Sequence, residues 1–296
     1  MKKKYYLILA IIALLLFSAC SKSAGETKTI AEESDQTEVT NSENKINIEE
    51  PKDEIPDTIE DPVTSIDMSV EPNELGEIMI LMYHGIGDEE IPWQRTPENF
   101  RNDLEYMYQN KYQMISLNDY AKGEINTKAG YTPIVLTFDD GRQNNYNLIE
   151  VNGELVLDPD CAVGILEEFK KKYSDFNVTA SFFLGTNIFG QKEYAKEKLN
   201  WLVENGYDIG NHTYSHDELK NLNGEEIQAE IGSVNNIIKS YVPDYVVETL
   251  ALPHGSNPKD EYKESILEGK YEGIDYETIA VLDVGWRPDY SPFDIL

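Results

Sequence analysis

The chain has 296 residues, with 55 acidic and 25 basic side chains and a net charge of −30. A surface this acidic repels polyphosphate, which excludes nucleic acid as a partner. A hydrophobic content of 40%, with 19 Tyr and 9 Phe, excludes a wholly disordered chain. Only two cysteines occur, which excludes a disulfide framework and an all-cysteine metal site.

The first residues of the chain have the pattern of a targeting signal. Residues 1–4 carry three lysines, residues 5–17 are all apolar or aromatic, and small residues precede Cys20. As a helix the apolar run spans about 20 Å, short of the roughly 30 Å bilayer core, which disfavours a transmembrane anchor. The segment resembles the signal of bacterial lipoproteins, with Phe17 where Leu is usual. We therefore expect a lipoprotein signal peptide at 1–19 and an extracytoplasmic protein that is lipid-anchored to the bacterial cell membrane through Cys20.

Residues 20–75 form an acidic stretch without any aromatic side chain. No period of two or 3.6 residues persists there, and the segment has too little apolar surface to offset its ordering entropy. We expect a disordered linker that acts either as a spacer or as a solubilising tail.

Residues 76–296 alternate short apolar runs with amphipathic segments, which predicts one α/β domain. With no internal repeat, the alternation indicates a parallel sheet or barrel, whose polar chemistry collects at the carboxyl ends of the strands. The predicted strands are 78–83, 112–117, 134–138, 180–184, 208–210, 249–252 and 278–284. The predicted helices are 97–109, with Thr96 as N-cap, 158–173, 193–204 and 224–242.

Two adjacent carboxylates follow one of these strands. Asp139 and Asp140 stand between an apolar run and Gly141, which permits a sharp turn. Because the two carboxylates repel each other, a bound cation is one explanation, with one aspartate as ligand and the other free as a base. The alternative is an ordinary turn in which an aspartate caps the next helix.

Two of the four histidines, His212 and His216, follow another strand. Histidines four residues apart converge on one metal if the chain turns helically between them, although they also suit an exposed loop. Together with an aspartate from a second strand end they would form a His-His-Asp set with open coordination positions. Such a set is typical of a catalytic divalent-metal site.

T-F-D-D-G at 137–141, H-T-Y-S-H at 212–216 and L-P-H-G-S at 252–256 resemble, in that order, the polysaccharide deacetylase (NodB-homology, carbohydrate esterase family 4) domain. The resemblance spans roughly 78–286 and implies a distorted (β/α) barrel. It implies metal-dependent removal of N-acetyl, or O-acetyl, groups from peptidoglycan or a poly-N-acetylglucosamine-like polymer. By motif position Asp139 would be the general base. Asp140, His212 and His216 would hold one divalent ion, zinc, with cobalt, nickel or manganese as alternatives.

The sequence departs from the family pattern at two places. No histidine follows His254, whereas most members take the catalytic acid from a late motif. L-M-Y-H-G-I at 81–86 resembles the opening motif of members with permuted motif order, such as poly-N-acetylglucosamine deacetylases, which implies His84 as the acid. A buried structural histidine is the alternative. The arginine that usually orients the base is also absent, and Arg142 or Arg287 could replace it.

Three further residues are candidates for contact with the substrate. Tyr214 lies between the two histidines, where a backbone N–H could stabilise an oxyanion. His254 stands where the family often has Tyr or Phe, which favours a pocket wall. Trp286 suits stacking on a sugar ring, with a core position as the alternative. Cys161, in contrast, is expected to be a buried small apolar residue on a helix.

The leading interpretation is a lipid-anchored, metal-dependent glycan deacetylase. One alternative is a glycan- or wall-binding lipoprotein with a weakened catalytic centre, which the two departures favour. A second is a metal-dependent amide hydrolase that acts on small molecules. A long open groove would favour polymers, and a closed pocket small substrates.

Overall fold

The computed structural model of the chain describes residue 69 and residues 76–293. The predicted signal peptide at 1–19, Cys20 and all but one residue of the predicted linker lie outside the described residues. In the part that is described, no helix combines the length and the apolar character needed to cross a membrane.

Short strands and five longer helices alternate along residues 76–293. The strands are β1 (Glu77–Tyr83), β2 (Gly85–Ile86), β3 (Gln94–Arg95), β4 (Tyr112–Met114), β5 (Thr132–Phe138), β6 (Leu148–Val151), β7 (Glu154–Leu157), β8 (Ser181–Leu184), β9 (Asp208–Asn211), β10 (Thr249–Ala251), β11 (Glu268–Tyr271), β12 (Ile274–Glu277), β13 (Ala280–Leu282) and β14 (Asp289–Tyr290). The helices are α1 (Pro97–Gln109), α2 (Leu117–Lys122), α3 (Ala162–Lys172), α4 (Ala195–Glu204) and α5 (Gly224–Tyr241).

The central sheet has the hydrogen-bonding order β13-β10-β9-β8-β5-β1-β14, and β4 also pairs with β5. Every pair in it is parallel except β1 with β14. Residues of β1 and of β13 line the same cavity of about 560 Å³, although the two strands are not neighbours in the hydrogen-bonding order. This shows that the sheet curls. The predicted distorted (β/α) barrel is confirmed, and its wall is interrupted between β1 and β13.

Strand β5 shows why the central strands read as continuous apolar runs. Ile134, Leu136 and Phe138 pack in the large core beneath the helices, which includes Phe100 of α1. Val135, on the opposite face, packs inside the barrel in a separate cluster. A strand covered on both faces buries every side chain, so its sequence lacks polar alternation.

The sequence predicted helix α1 with the limits and the N-cap that the structure shows. The Thr96 hydroxyl accepts from the Asn99 N–H at 3.2 Å, and Phe100 and Leu104 on the buried face are fully enclosed. The predicted strand at 112–117 is wrong in its second half. It ends at Met114, and Ser116 caps α2 by accepting from the Asp119 N–H at 2.9 Å.

Two β-hairpins, β6–β7 and β11–β12, were not predicted. Helix α3 accordingly begins later than predicted, at Ala162, since the second strand of the first hairpin ends at Leu157. Cys161 is buried as expected, but it caps α3 instead of lying within it, and its Sγ accepts from the Gly164 N–H at 3.4 Å. Hairpins of this length carry too few alternations to be separated from helix ends by periodicity.

Candidate active site

The turn after β5 places two carboxylates at the mouth of the barrel. Asp140 and Gly141 have φ angles of 70° and 52°, so the chain bends through the left-handed region as the strand ends. A Cβ on residue 141 would lie 2.3 Å from the Asn187 carbonyl oxygen, which only glycine avoids. No described helix begins at this turn, so neither aspartate is the helix cap considered as an alternative.

Asp140, His212 and His216 converge on one point. One ligand atom from each residue lies within 4.8 Å of those of the others. Asp140 Oδ1 is 3.6 Å from His212 Nε2 and 3.4 Å from His216 Nε2. The histidines are therefore not two separate surface groups.

The chain between the two histidines is not helical, so they converge by a route other than the helical turn considered from the sequence. Thr213 and His216 have φ angles of 62° and 61°, and these two left-handed residues bend the segment back on itself. Ser215 fixes the bend, since its N–H and hydroxyl donate to the two Glu230 carboxylate oxygens of α5 at 2.7 and 2.8 Å. The imidazoles approach each other through this bend, with ring centroids 4.8 Å apart.

His212 is held in the orientation that a metal ligand needs. It is 3% exposed, and its Nδ1 lies 2.8 Å from the Ala251 carbonyl oxygen. Because a carbonyl oxygen only accepts, Nδ1 donates to it, and Nε2 is the ring nitrogen that faces Asp140. Two imidazole nitrogens and one carboxylate oxygen, with this supporting bond, fit a divalent cation of the zinc class. The sequence expectation of a metal site here agrees with this arrangement.

The Asp140 carboxylate is also clamped by Arg142. Arg142 Nε and Nη2 donate to Asp140 Oδ2 at 2.9 and 2.7 Å. The contact with His212, followed by that with Arg142, holds the pKa of Asp140 well below its usual range. Asp140 is therefore ionised across the physiological range, as a metal ligand must be.

Asp139 lies in different surroundings from its neighbour. It is 6% exposed, and its Oδ1 has no hydrogen-bond partner among the described residues. Burial raises the pKa of Asp139 to about 6, with the nearby His212 opposing that rise. The residue lines the 560 Å³ cavity at the open seam of the barrel. The aspartate that is expected to act as base therefore borders this cavity.

The two arginines considered for orienting Asp139 take other positions. Arg142 binds Asp140, as described, and Arg287 is an exposed residue that lines the same cavity as Asp139. We call Asp140, His212 and His216 the cation cluster. The arginine contact in this site therefore holds Asp140 of the cation cluster instead of Asp139, the aspartate expected to act as base.

His84 follows β1 at the same end of the barrel. It is half-buried and lines a cavity of about 220 Å³, so it is not enclosed in the core. Burial lowers the pKa of His84 to about 4, Asp140 opposes this, and Arg142, His212 and His216 add to it. His84 thus interacts electrostatically with Asp140, His212 and His216.

The three candidate substrate residues are exposed to different degrees. His254 is exposed, with φ 58°, and its ring lies 4.6 Å from that of His216, as a pocket wall would. Tyr214 is 48% exposed between the two histidines. Trp286 is 93% exposed and lines the cavity that contains Asp139, so the alternative of a core tryptophan is wrong.

Sequence reasoning missed Trp93. Its ring centroid lies 5.0 Å from that of His84, and its carbonyl oxygen accepts from Arg142 Nη1 at 3.3 Å. The residue stands in the short connection between β2 and β3. The chain offers no local pattern that marks it, since the contacts depend on the turn after β5.

Residues 126–269 match the family model for polysaccharide deacetylase. This part, just under half of the chain, is thus similar to a polysaccharide deacetylase domain.

Individual relatives are distant. A chitooligosaccharide deacetylase of Bradyrhizobium sp. is 25% identical over 43% of this chain and 48% of its own. A peptidoglycan-N-acetylglucosamine deacetylase of Bacillus cereus is 26% identical over 61% of this chain and 58% of its own. The chain thus spans about half the length of these two relatives. The solved structure of Streptococcus pyogenes deacetylase PplD in complex with acetate aligns with a TM-score of 0.47 and 18% identity, over 65% of this chain and 79% of that one.

Proposed function

We propose that the protein removes N-acetyl groups from a cell-envelope or extracellular polysaccharide of the peptidoglycan or poly-N-acetylglucosamine type, with metal dependence. Removal of O-acetyl groups would use the same site. The observation that carries the proposal is the convergence of Asp140, His212 and His216 beside the buried Asp139, whose Oδ1 has no hydrogen-bond partner within the described part of the chain. The two relatives named above support the substrate class, since both bear the names of deacetylases of N-acetylated sugars.

The cation would be held by Asp140, His212 and His216. Zinc suits this donor set, and cobalt, nickel or manganese are alternatives. When bound, such an ion polarises the acetyl carbonyl and makes water more acidic. The chain's own contribution is to keep the three ligand groups in place, through the Ala251 carbonyl on His212 and the Arg142 clamp on Asp140.

Asp139 is the proposed base. Its Oδ1 is buried and uncommitted, so it can accept the proton of a water that attacks the acetyl carbon. His84 is the proposed acid for the leaving nitrogen. Because the pKa of His84 is lowered to about 4, its imidazole is neutral in the resting site and must take up a proton before it gives one.

A glycan-binding protein without turnover remains the competing function. The contact that favours it is the Arg142 clamp, which leaves Asp139 without an orienting arginine. A binding protein would retain the cation cluster and the cavity and yet release no acetate.

One experiment separates the two functions. We expect acetate release from N-acetylglucosamine oligomers or peptidoglycan by the wild-type chain, abolished by chelator and restored by zinc. Asp139→Asn should lower the rate by on the order of 10²-fold or more without loss of bound zinc, because it removes the base and no ligand. His84→Ala should slow turnover with zinc content unchanged.

The outcomes discriminate clearly. Acetate release that resists both chelator and Asp139→Asn would refute the mechanism. Bound zinc and bound glycan with no acetate from any substrate would favour the binding protein. Loss of zinc in His84→Ala would show that His84 has been given the wrong role.

We also propose that the protein is lipid-anchored through Cys20 at the outer face of the cell membrane, with residues 20–75 as a linker and 76–296 as the deacetylase domain. The lysine-rich start, the short apolar run and the small residues before Cys20 support this proposal. An anchor there would keep the domain near envelope glycans.

A further inference from the structure

Trp93 is an exposed side chain on a strained backbone. Its residue is 57% exposed, and its φ is 65°. A bulky side chain in the left-handed region is a genuine outlier, and such strain concentrates at functional sites. Because this exposed indole does not pack in the hydrophobic core, the strained conformation is not explained by core packing.

The backbone that carries this indole is fixed to the candidate active site. The Trp93 carbonyl oxygen accepts from the Gly85 N–H at 3.2 Å and from Arg142 Nη1 at 3.3 Å. The same Arg142 clamps Asp140 through two hydrogen bonds, so its guanidinium links the tryptophan backbone to the Asp140 carboxylate. The indole itself leans over His84, with an angle of 46° between the rings.

The cavity beside Trp93 shares one lining residue with the cavity that contains Asp139. Met82, which is 38% exposed at the end of β1, lines both of them. Trp93 lies in the smaller cavity with His84, and Trp286 lies in the larger one with Asp139. Each of these two cavities thus has an exposed indole in its lining.

We propose that Trp93 is a sugar-binding residue, whose indole stacks against a pyranose ring of the substrate on the His84 side of the reacting acetamido group. The proposal rests on the proposed deacetylase function and narrows its substrate class to oligomers and polymers with sugar units on both sides of the reacting one. A pyranose presents C–H groups on its faces and hydroxyls at its rim. A half-exposed indole covers such a face while the rim hydroxyls stay in water.

The test uses binding and kinetics together. In an Asp139→Asn background, which holds substrate without fast turnover, we would measure the affinity for N-acetylglucosamine and for its tetramer by calorimetry. We expect Trp93→Ala to weaken tetramer binding on the order of tenfold and to leave monomer binding unchanged. Trp93→Phe should retain most of the affinity. Tyr106→Ala, an exposed aromatic at 63% on the outer face of α1, is the matched control and should change nothing.

In the active chain, Trp93→Ala should raise KM for the tetramer with little change in kcat. A fall in kcat with unchanged tetramer affinity would mean that the indole acts only through His84, and it would overturn the proposal. Equal losses of binding affinity for monomer and tetramer in Trp93→Ala, or loss of bound zinc in that variant, would overturn the proposal as well.

The two proposals fail separately. Tetramer binding that depends on Trp93, without acetate release by the wild type, would leave the binding role standing and refute the deacetylase. Acetate release from the tetramer with unchanged KM in Trp93→Ala would support the deacetylase and refute the sugar-binding role of Trp93.

Discussion

Asp139 and Asp140 are adjacent in the sequence, yet their carboxylates have opposite electrostatic settings. Asp140 contacts His212 and Arg142, which keep its pKa low, whereas burial raises the pKa of Asp139 to about 6. The separation depends on the left-handed turn at 140–141, which directs the two side chains to different partners. The proposed ligand and the proposed base therefore arise from a single pair of identical residues.

We expect Gly141→Ala to lower the free energy of unfolding by about 3 kcal/mol, because it adds a left-handed alanine and a clash with the Asn187 carbonyl oxygen. Urea denaturation measures this. Gly153→Ala is the matched control, since φ there is 84° but nothing lies within 4 Å of the added Cβ. The control should lose about 1 kcal/mol. Equal losses in the two variants would show that the close approach at 141 has no energetic weight.

Among the elements, α4 has a buried cation that supports the loops around the site. Lys198 is fully buried, and its Nζ donates to the carbonyl oxygens of Tyr146 and Phe189 at 2.8 and 3.0 Å and to the Gln191 side chain at 2.8 Å. These acceptors belong to the segments that follow β5 and β8. One side chain of α4 therefore ties together the loops on which the turn at Gly141 rests.

Burial lowers the pKa of Lys198 to about 8, below its ordinary value of 10.5. Between pH 8 and 10 the unfolded chain thus binds more protons at this residue than the folded chain, so stability from Lys198 rises with pH. We expect the unfolding free energy of the wild type to rise by roughly 2 kcal/mol relative to Lys198→Met over this interval. Denaturant titrations of both proteins at each pH measure the difference. A constant difference would show that burial does not shift the pKa.

The strand-end residues were the part of the site that the sequence could predict. Because parallel strands end at one rim, Asp140 and the two histidines were expected to meet, and they do. The bend at Thr213 was not predictable, since it depends on left-handed backbone angles. The contact of Arg142 with Trp93 was not predictable either, since it joins segments far apart in the sequence. The same holds for the hairpins β6–β7 and β11–β12, whose strands have four residues each.

At the scale of the whole molecule, the proposed lipid anchor predicts where the protein is found in cells. We expect the full chain to sediment with bacterial membranes and Cys20→Ala to appear in the soluble fraction or the medium, because acylation at this thiol provides the attachment. Immunoblots of the fractions measure the distribution. Ser21→Ala, next to the proposed acylation site, is the control and should remain with membranes. A Cys20→Ala protein that still sediments would contradict the anchor.

The direction of β1 also has a practical consequence. This strand has seven residues, enters the sheet at Glu77 and ends beside His84, so about 20 Å of barrel lies between its two ends. Its pairing with β14 occupies the entry end, and the rim that holds Asp140, His212 and His216 lies at the other. A bead, tag or electrode coupled just upstream of Glu77 would thus be attached at the end of the barrel opposite to Asp140, His212 and His216. The rim with these residues would stay accessible to a large insoluble glycan of the proposed substrate class.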